Sequence, residues 1–269
     1  MNKIFITNKS KSIGSYLVDI FRSRGVIMAF ARRNVMGKVA QTRLGVFVIL
    51  IQAIILTLIM GMIISRAIKF DIDYPYLLFL LPGMCGWYAF SYLVSLSSMS
   101  LIQHQGIITK VAFPRISLPI SFGLSVFADM IAWILVIIVL LIFYGVSPDI
   151  SIVFLPLLML MNVLTGLAIG TWIAILSVKN RDLVMISPLF IGLGVFFTPV
   201  FYPASILPVW VEKLLYFNPL AGVVEGYRCC FVTGVYDFNY LWGFLLSLIL
   251  LSGSIFVFSK KEGVIADYL

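Results

Sequence analysis

The residue types that most often carry out chemistry are scarce in this sequence. It contains one histidine, His104, and three cysteines, Cys85, Cys229 and Cys230. A metal site with several histidine ligands is therefore excluded, and no Cys-x-x-Cys pair replaces it. Because adjacent cysteines are poorly placed for an ordinary disulfide, we interpret all three as small apolar side chains. We expect His104, in a polar loop, to be solvated.

A P-loop that binds ATP cannot reside in this chain either. The sequence contains no Gly-x-x-x-x-Gly-Lys-Ser/Thr segment, the loop that holds ATP phosphates in many nucleotide-hydrolysing proteins. We therefore expect no cofactor in this chain. If ATP drives its activity, a partner subunit must supply the ATPase, with its ATP and magnesium.

A single carboxylate stands in the middle of an apolar stretch. An ionisable residue inside a membrane span should face the protein interior, be paired or be protonated. A proton relay normally needs several such groups, so we favour an interhelical hydrogen bond over ion coupling for Asp129. The Gly166-x-x-x-Gly170 spacing allows close packing of one helix on another.

Composition places these residues in a membrane. Of 269 residues, 62% are hydrophobic and 11% are charged, whereas a soluble domain carries about 25% charged residues. Six uncharged runs reach the roughly 18 residues of a candidate spanning helix. The net charge of +8 must therefore be placed relative to the membrane, and we expect no nucleic-acid partner.

The apolar runs predict an all-α membrane protein with six transmembrane helices. The spans are expected at about 44–65, 76–101, 117–144, 151–178, 183–211 and 238–259. The fifth run must break near Pro199 to Pro203, because proline interrupts a helix. Residues 203–236 are too polar to span lipid and too apolar for a simple loop. They predict a re-entrant pair of short helices between spans five and six.

Residues 1–43 are expected to form a segment separate from the six-span domain, 44–269. Apolar residues recur at helical spacing between Ser15 and Met36, with arginines among them, which predicts an amphipathic helix on the membrane surface. The alternative is a basic stop signal that only orients the first span. No small-residue cleavage site follows, so we expect no secretory signal.

Basic residues indicate the orientation of the chain. Six spans place both termini on one side, and the termini with the loops 103–115 and 179–182 hold 15 of the 19 Lys and Arg residues. The positive-inside rule then predicts that both termini are cytoplasmic and that residues 203–236 face the outside.

Motifs along most of the chain from residue 33 onward resemble one transporter family. The start of the first span resembles that of the polysaccharide-exporting type-two ABC permeases, the transmembrane subunits of O-antigen, capsule and teichoic acid exporters. The matching residues there are Arg33-Asn34-Val35-Met36-Gly37-Lys38, Gln41-Thr42-Arg43-Leu44-Gly45 and Gln52. Three positions depart from the family pattern of Asp, Trp and Pro and hold Asn34, Val48 and Ala53.

The other motifs follow in the family's order and at fitting intervals. The loop between spans two and three is similar in Lys110-Val111-Ala112-Phe113-Pro114-Arg115 and Leu118-Pro119. The fifth span and the re-entrant segment are similar in Arg181-Asp182, Pro199-Val200-Phe201-Tyr202-Pro203, Asn218-Pro219 and Tyr227-Arg228.

The resemblance implies a transport subunit and not an enzyme. It implies a homodimer bound to two copies of a separate ATPase, exporting a polysaccharide on a polyprenyl diphosphate carrier across the bacterial inner membrane. The loop 103–115 would be the coupling helix that docks on the ATPase. Its candidate residues are Gln103, His104, Lys110, Phe113, Pro114 and Arg115.

Two further groups of residues receive roles from the resemblance. Cations at the inner headgroup level would receive the carrier diphosphate or, as the alternative, only anchor the chain to lipid. They are Arg22, Arg24, Arg32, Arg33, Lys38 and Arg43. The re-entrant segment would close the outer mouth, with Glu225 and Arg228 spaced for a helical ion pair. Its candidate residues are Pro203, Asn218, Pro219, Glu225, Tyr227 and Arg228.

Aromatic residues cluster on the second and fifth predicted spans. At the lipid interface they would form an ordinary aromatic belt, whereas along a pathway flat rings would let sugar faces slide. Both interpretations stay open, with the pathway favoured for the fifth span because of its breaks. The candidate pathway residues are Trp87, Tyr88, Phe190, Phe196, Phe197, Phe201 and Tyr202.

Other functions compete with polysaccharide export. An ABC permease of the same build could carry teichoic acid, a capsule polymer, a drug or a small lipid. A self-contained channel or proton-coupled carrier would work without an ATPase and needs paired intramembrane charges, of which the sequence offers only Asp129. A membrane-embedded enzyme is disfavoured because the His, Asp and Ser constellation is missing.

Overall fold

The computed structural model describes residues 12–40, 46–67 and 74–268 of the chain. All regular secondary structure within these ranges is helical. The α-helices are α1 (Ile13–Arg22), α2 (Arg24–Ala40), α3 (Val46–Ala67), α4 (Tyr76–Gln103), α5 (Gln105–Ile108), α6 (Ser117–Tyr144), α7 (Leu155–Ser177), α8 (Asp182–Gly194), α9 (Val209–Leu215), α10 (Pro219–Arg228) and α11 (Leu241–Tyr268). Short 3-10 turns lie at Ile150–Phe154, Val195–Phe197, Ala204–Ile206 and Phe238–Tyr240, and a π-helical turn at Cys229–Thr233.

Four helices of the described ranges are long and apolar enough to cross a membrane. They correspond to the predicted second, third, fourth and sixth spans and comprise Tyr76–Gln103, Ser117–Tyr144, Ile150–Ser177 and Phe238–Lys260. Helix α3 occupies the position of the predicted first span. The predicted fifth span is a shorter apolar helix, Asp182–Phe197, because its backbone turns extended at Thr198 just before Pro199.

Helix α4 lies at the centre of the bundle. It contacts α3, α6, α7, α8 and α10, and α11 packs on the far side of α7. The most extensive contact is between α4 and α7, where a Cβ added to Gly170 would lie 2.6 Å from Cβ of Ser97, and one added to Gly166 would lie 2.9 Å from Leu93. The Gly-x-x-x-Gly spacing therefore marks a close helix contact, as predicted.

The turn between α6 and α7 follows the polar residues that the sequence places there. Gly145 ends α6 in the left-handed conformation at φ 66°, which glycine adopts without strain. Asp149 then begins the next helix, because its Oδ2 accepts hydrogen bonds from the hydroxyl and the backbone N–H of Ser151. These bonds hold the pKa of Asp149 below its ordinary value.

The N-terminal segment is two helices and not the single surface helix predicted between Ser15 and Met36. Helix α1 ends at Ser23, whose N–H bonds the carbonyl oxygens of Asp19 and Ile20. It keeps the predicted amphipathic character, with Tyr16 buried and Phe21 exposed. Helix α2 instead packs along α6. The predicted boundary at residue 43 and residues 1–11 lie outside the described residues.

Two smaller clusters lie at opposite ends of the bundle. One joins α1, the loop after α5 and the C-terminal parts of α4, α7 and α11, through residues such as Tyr16, Phe113 and Phe258. We call this the loop end. The other joins Ala204, Leu215, Ala221 and Tyr240 beside α9 and α10, and we call this the α10 end.

Candidate functional site

Helix α10 begins with the Asn218-Pro219 pair that the sequence analysis singles out. The Oδ1 of Asn218 accepts a hydrogen bond from the N–H of Leu220 at 3.0 Å, and Pro219 takes the first helical position, where its missing N–H costs nothing. The Nδ2 of Asn218 donates to the carbonyl oxygen of Phe197 and to Oγ1 of Thr198, both at 3.1 Å. The same residue therefore caps α10 and ties it to the end of α8.

Helix α10 ends at a buried arginine. Arg228 is 1% exposed and donates from NH1 to Oε1 of Glu225 at 2.7 Å, which confirms the predicted ion pair. Its NH2 donates to the carbonyl oxygen of Val200 at 2.7 Å, and its Nε donates to that of Phe79 at 3.2 Å. The guanidinium also lies 3.6 Å from the centroid of the Phe79 ring. One side chain thus joins α10, α4 and the segment after α8.

The body of α10 is wedged between α4 and α7. Asn162 donates from Nδ2 to the carbonyl oxygen of Gly86 at 3.0 Å and to the Tyr227 hydroxyl at 3.5 Å. Glycines allow this approach, since a Cβ added to Gly226 would lie 2.5 Å from Leu158. The polar network at Asn162 was missed by the sequence analysis, because no local pattern marks an asparagine inside an apolar helix.

The helical backbone is interrupted between Pro199 and Pro203, as predicted. The Tyr76 hydroxyl donates to the carbonyl oxygen of Phe201 at 2.6 Å, and the Tyr202 hydroxyl donates to that of Phe196 at 3.0 Å. Together with the bond from Arg228 to Val200, these contacts satisfy carbonyl groups that a continuous helix would have paired internally.

An apolar cleft of about 430 Å³ lies between α4, α7 and α8 and reaches the start of α10. Three of the predicted pathway residues, Trp87, Phe190 and Phe197, line it together with Phe90 and Asn218. Trp87 forms its buried wall, whereas Phe190 and Phe197 are 68% and 74% exposed. The cleft is therefore open on the side of α8.

The other predicted pathway residues lie elsewhere. The Tyr88 ring stacks on Trp133 of α6 with centroids 5.4 Å apart. Phe196 packs against Phe201 at 6.0 Å. Of the seven predicted pathway residues, the structure therefore brings three into one cleft.

Asp129 is held in an ion pair that the sequence analysis did not foresee. Its Oδ2 accepts a hydrogen bond from Nζ of Lys38 at 2.6 Å, about three turns into α6. The Lys38 ammonium also lies 4.7 Å from the centroid of the Tyr92 ring. The favoured interhelical contact is therefore confirmed, and Lys38, predicted at the headgroup level, is engaged with Asp129 inside the bundle.

The remaining predicted cations divide into two kinds. Arg22, Arg24 and Arg32 are exposed. Arg33 is exposed as well, but its guanidinium donates a hydrogen bond to Nε2 of His104 and lies over the Phe30 ring at 4.9 Å. Arg43 lies outside the described residues.

His104 is less solvated than predicted. It is half-buried, its Nδ1 donates to the carbonyl oxygen of Ser100 at 2.9 Å, and its ring meets Phe30 and Phe122 edge-on. With the Nδ1 proton placed there, Nε2 is free to accept from Arg33. Burial, and then the nearby Arg33 guanidinium, lower the pKa of His104 below its ordinary value.

The predicted coupling loop has an exposed and a buried side. Gln103 and Lys110 are exposed, whereas Phe113, Pro114 and Arg115 are buried. Arg115 is 7% exposed, and Oε1 of Glu262 accepts its backbone N–H at 2.7 Å and lies 3.5 Å from its NH1. Glu262 was absent from the predicted sites, and no local spacing links it to the loop.

Comparison with known proteins places this arrangement in a family. Three curated relatives carry the name O-antigen export system permease protein RfbA. Two from Klebsiella pneumoniae are 29% and 28% identical to this chain over 200 residues, which cover 72% of this chain and 76% of each relative. One from Myxococcus xanthus is 24% identical over 216 residues, 79% of this chain and 82% of that protein.

The family match covers most of the architecture just described. Residues 25–232 match the ABC-2 type transporter family, a range that begins in α2 and ends in the π-helical turn after α10. The range includes the Lys38–Asp129 pair, the loop with Arg115 and the buried Arg228. The chain therefore belongs to the ABC-2 type transporter family, as a multi-pass membrane permease subunit.

Proposed function

We propose that this chain is the transmembrane subunit of an ATP-driven exporter that carries a lipid-linked polysaccharide across the bacterial inner membrane. The observation that carries the proposal is the family match over residues 25–232, joined to relatives that are named for O-antigen export. The ATPase is a separate subunit, and two copies of each chain form the transporter. The polysaccharide travels on a polyprenyl diphosphate carrier.

The proposed topology has six spans with both termini in the cytoplasm. Helices α3 and α8 supply the first and fifth spans beside the four long apolar helices. Helices α9 and α10 form the re-entrant pair at the outer side. In support, the carbonyl groups of Val200 and Phe201 are bonded by Arg228 and Tyr76, as irregular backbone at membrane depth requires.

The re-entrant pair closes the outer mouth, with Arg228 as its fixed point. Pro203, Asn218, Pro219, Glu225 and Tyr227 surround it in the roles that the resemblance implies. The contacts of Arg228 and Asn218 support this, since they bind α10 both to α4 and to the end of α8. Any opening of the mouth by movement of α10 must break or carry along these bonds.

The carrier is received at the opposite, cytoplasmic side. Arg22, Arg24 and Arg32 are exposed on α1 and α2, where guanidinium groups attract anionic headgroups and pair well with phosphate.

The cleft with Trp87, Phe190 and Phe197 takes part in the pathway. Because it is open on the side of α8, a second copy of the chain is needed to enclose it.

The proposal is tested by purifying the chain in detergent, alone and co-expressed with the ATPase encoded beside it. Stable co-purification is expected, with ATP hydrolysis by the pair and none by the chain alone. Deletion of the chain should make carrier-linked glycan accumulate on the cytoplasmic face of the inner membrane. Hydrolysis by the chain alone, or deletion without accumulation, would contradict the proposal.

A further inference from the structure

Three segments that are distant in the sequence meet at the loop end. The Glu262 carboxylate, on α11, accepts the backbone N–H of Arg115 at 2.7 Å and lies 3.5 Å from its guanidinium. The side chains of Arg115 and Glu262 are only 8% and 14% exposed. Tyr16, on α1, is fully buried in the same cluster. Burial, and then the nearby Glu262 carboxylate, raise the pKa of Tyr16.

The carboxylate holds the base of the loop in two ways. Arg115 lies two residues before α6, so the negative charge stands near the positive end of that helix, where it is stabilised. The same oxygen also faces the guanidinium, so both the backbone and the side chain of Arg115 are fixed. A buried, hydrogen-bonded ion pair of this kind resists rearrangement because breaking it leaves an uncompensated charge.

The two sides of the loop have different environments. Gln105, Thr109 and Lys110 are exposed and have space for a partner. Ile108 and Phe113 are buried against residues of α1, α4, α6 and α11. A force applied to the exposed side is therefore passed to the bundle through the buried side and through Arg115.

We infer that Glu262 is a positioning residue that couples the ATPase-docking loop to α6 and α11, and that Arg115 acts through it and not by touching the ATPase. The inference rests on the proposed function, since it needs an ATPase bound at the loop. The Glu262–Arg115 pair makes the loop, the start of α6 and the end of α11 move together. Without the pair the loop can shift while the spans stay in place.

The test compares Glu262→Gln and Glu262→Ala with Asp149→Asn, the same carboxylate-to-amide change in the turn between α6 and α7 at the other end of the bundle, where asparagine also begins a helix well. Each variant is co-purified with the ATPase and placed in proteoliposomes. The probe is the carrier-linked glycan extracted from cells that lack this chain. The readout is glycan moved per ATP hydrolysed, beside the amount of ATPase retained.

We expect the Glu262 variants to retain the ATPase and to hydrolyse ATP while moving less glycan per ATP. Allosteric coupling between two sites of a protein is typically a factor of about 5 to 150, and a loss in that range is expected. Asp149→Asn should match the unchanged chain. An unchanged ratio in Glu262→Gln, even with a lower thermal midpoint, would show a merely structural role and overturn the inference.

A charge reversal keeps the test decisive where Glu262→Ala fails to assemble. Arg115→Glu and Glu262→Arg alone should each lower the ratio, and the double variant should recover part of it, because the pair is restored with opposite signs. Absence of any recovery would overturn the inference. If the unchanged chain binds no ATPase at all, it is the proposed function that fails.

Discussion

Replacing Arg228 by methionine removes an ion pair and two further hydrogen bonds that are made by a fully buried guanidinium. The guanidinium donates to Glu225 and Val200 at 2.7 Å and to Phe79 at 3.2 Å. Methionine keeps an unbranched, flexible stem, so packing changes little. The Glu225 carboxylate, however, loses its cation. Breaking a buried pair costs about 3–5 kcal/mol, out of the about 5–15 kcal/mol that keeps a typical domain folded.

Two assays measure this loss in detergent. A chain of this size loses about 2–4 °C of thermal midpoint per kcal/mol, so Arg228→Met should fall by about 6–20 °C. The second assay uses a thiol-reactive dye, since Cys85, Cys229 and Cys230 are free and buried. Two of them directly follow Arg228, so loosening of α10 exposes them before the whole chain unfolds. Their labelling should accelerate by ~100-fold or more, because each 1.4 kcal/mol is a factor of about ten.

Lys213→Met on α9 is the matched control. It also replaces a long cation by methionine, but Lys213 is exposed, so its stability should change by no more than about 0.5 kcal/mol. Adding Glu225→Gln to Arg228→Met should recover about 0.5–3 kcal/mol, because it removes the orphaned charge. If the thermal midpoint of Arg228→Met is no lower than that of the control, and the rate of cysteine labelling is unchanged, the view that Arg228 fixes α10 is refuted.

Three further predictions concern the rest of the bundle. Lys38→Asp and Asp129→Lys should each lower the thermal midpoint, and the double reversal should recover about 0.5–3 kcal/mol; additive losses would show that the pair does not hold α2 on α6. Gly170→Ala should lower the midpoint because its Cβ would lie 2.6 Å from a side-chain carbon of α4, whereas Gly192→Ala meets nothing within 4 Å and should not; equal midpoints would contradict the close packing of α4 on α7. The folded chain resists protonation of His104, whose pKa is lowered by burial, while the unfolded chain takes up that proton near pH 6.5. Stability should therefore fall as the pH drops below about 6.5. In His104→Gln the dependence of stability on pH in this range should be weaker. If the variant keeps the full dependence, a group other than His104 causes it.

Local signals in the sequence predicted much of the helical framework. Long apolar runs placed α4, α6, α7 and α11, because length and composition suffice for a spanning helix. The prolines marked the break after α8. Asn218-Pro219 marked the start of α10, and the Glu225 and Arg228 spacing predicted their ion pair, because each of these features depends on neighbours within one or two helical turns.

Contacts across the chain could not be derived in this way. Lys38 and Asp129 are 91 positions apart, and Arg115 and Glu262 are 147 apart, so no spacing rule connects them. Arg115 illustrates the consequence. Its charge and its position in the loop suggested a surface that docks on the ATPase. The side chain is instead buried and paired with Glu262, which is distant in the sequence. His104 was misjudged for the same reason, since α2 covers it from a different part of the sequence.

The break between α1 and α2 was also beyond the sequence pattern. Apolar residues continue at helical spacing through Ser23, which favours one continuous helix. The two halves nevertheless contact different surfaces, because α2 is drawn onto α6 by Lys38 and by a hydrogen bond from Ser125 to the carbonyl oxygen of Ala31 at 3.3 Å. Tertiary contacts therefore decide where the helix divides.

The central claim is tested most directly by reconstituting the chain and its ATPase in proteoliposomes and following a carrier-linked glycan across the bilayer. Glycan should appear on the far side only when both subunits and hydrolysable ATP are present. Movement of glycan by the chain alone, or ATP hydrolysis by the pair without any movement of glycan, would contradict an ATP-driven polysaccharide exporter.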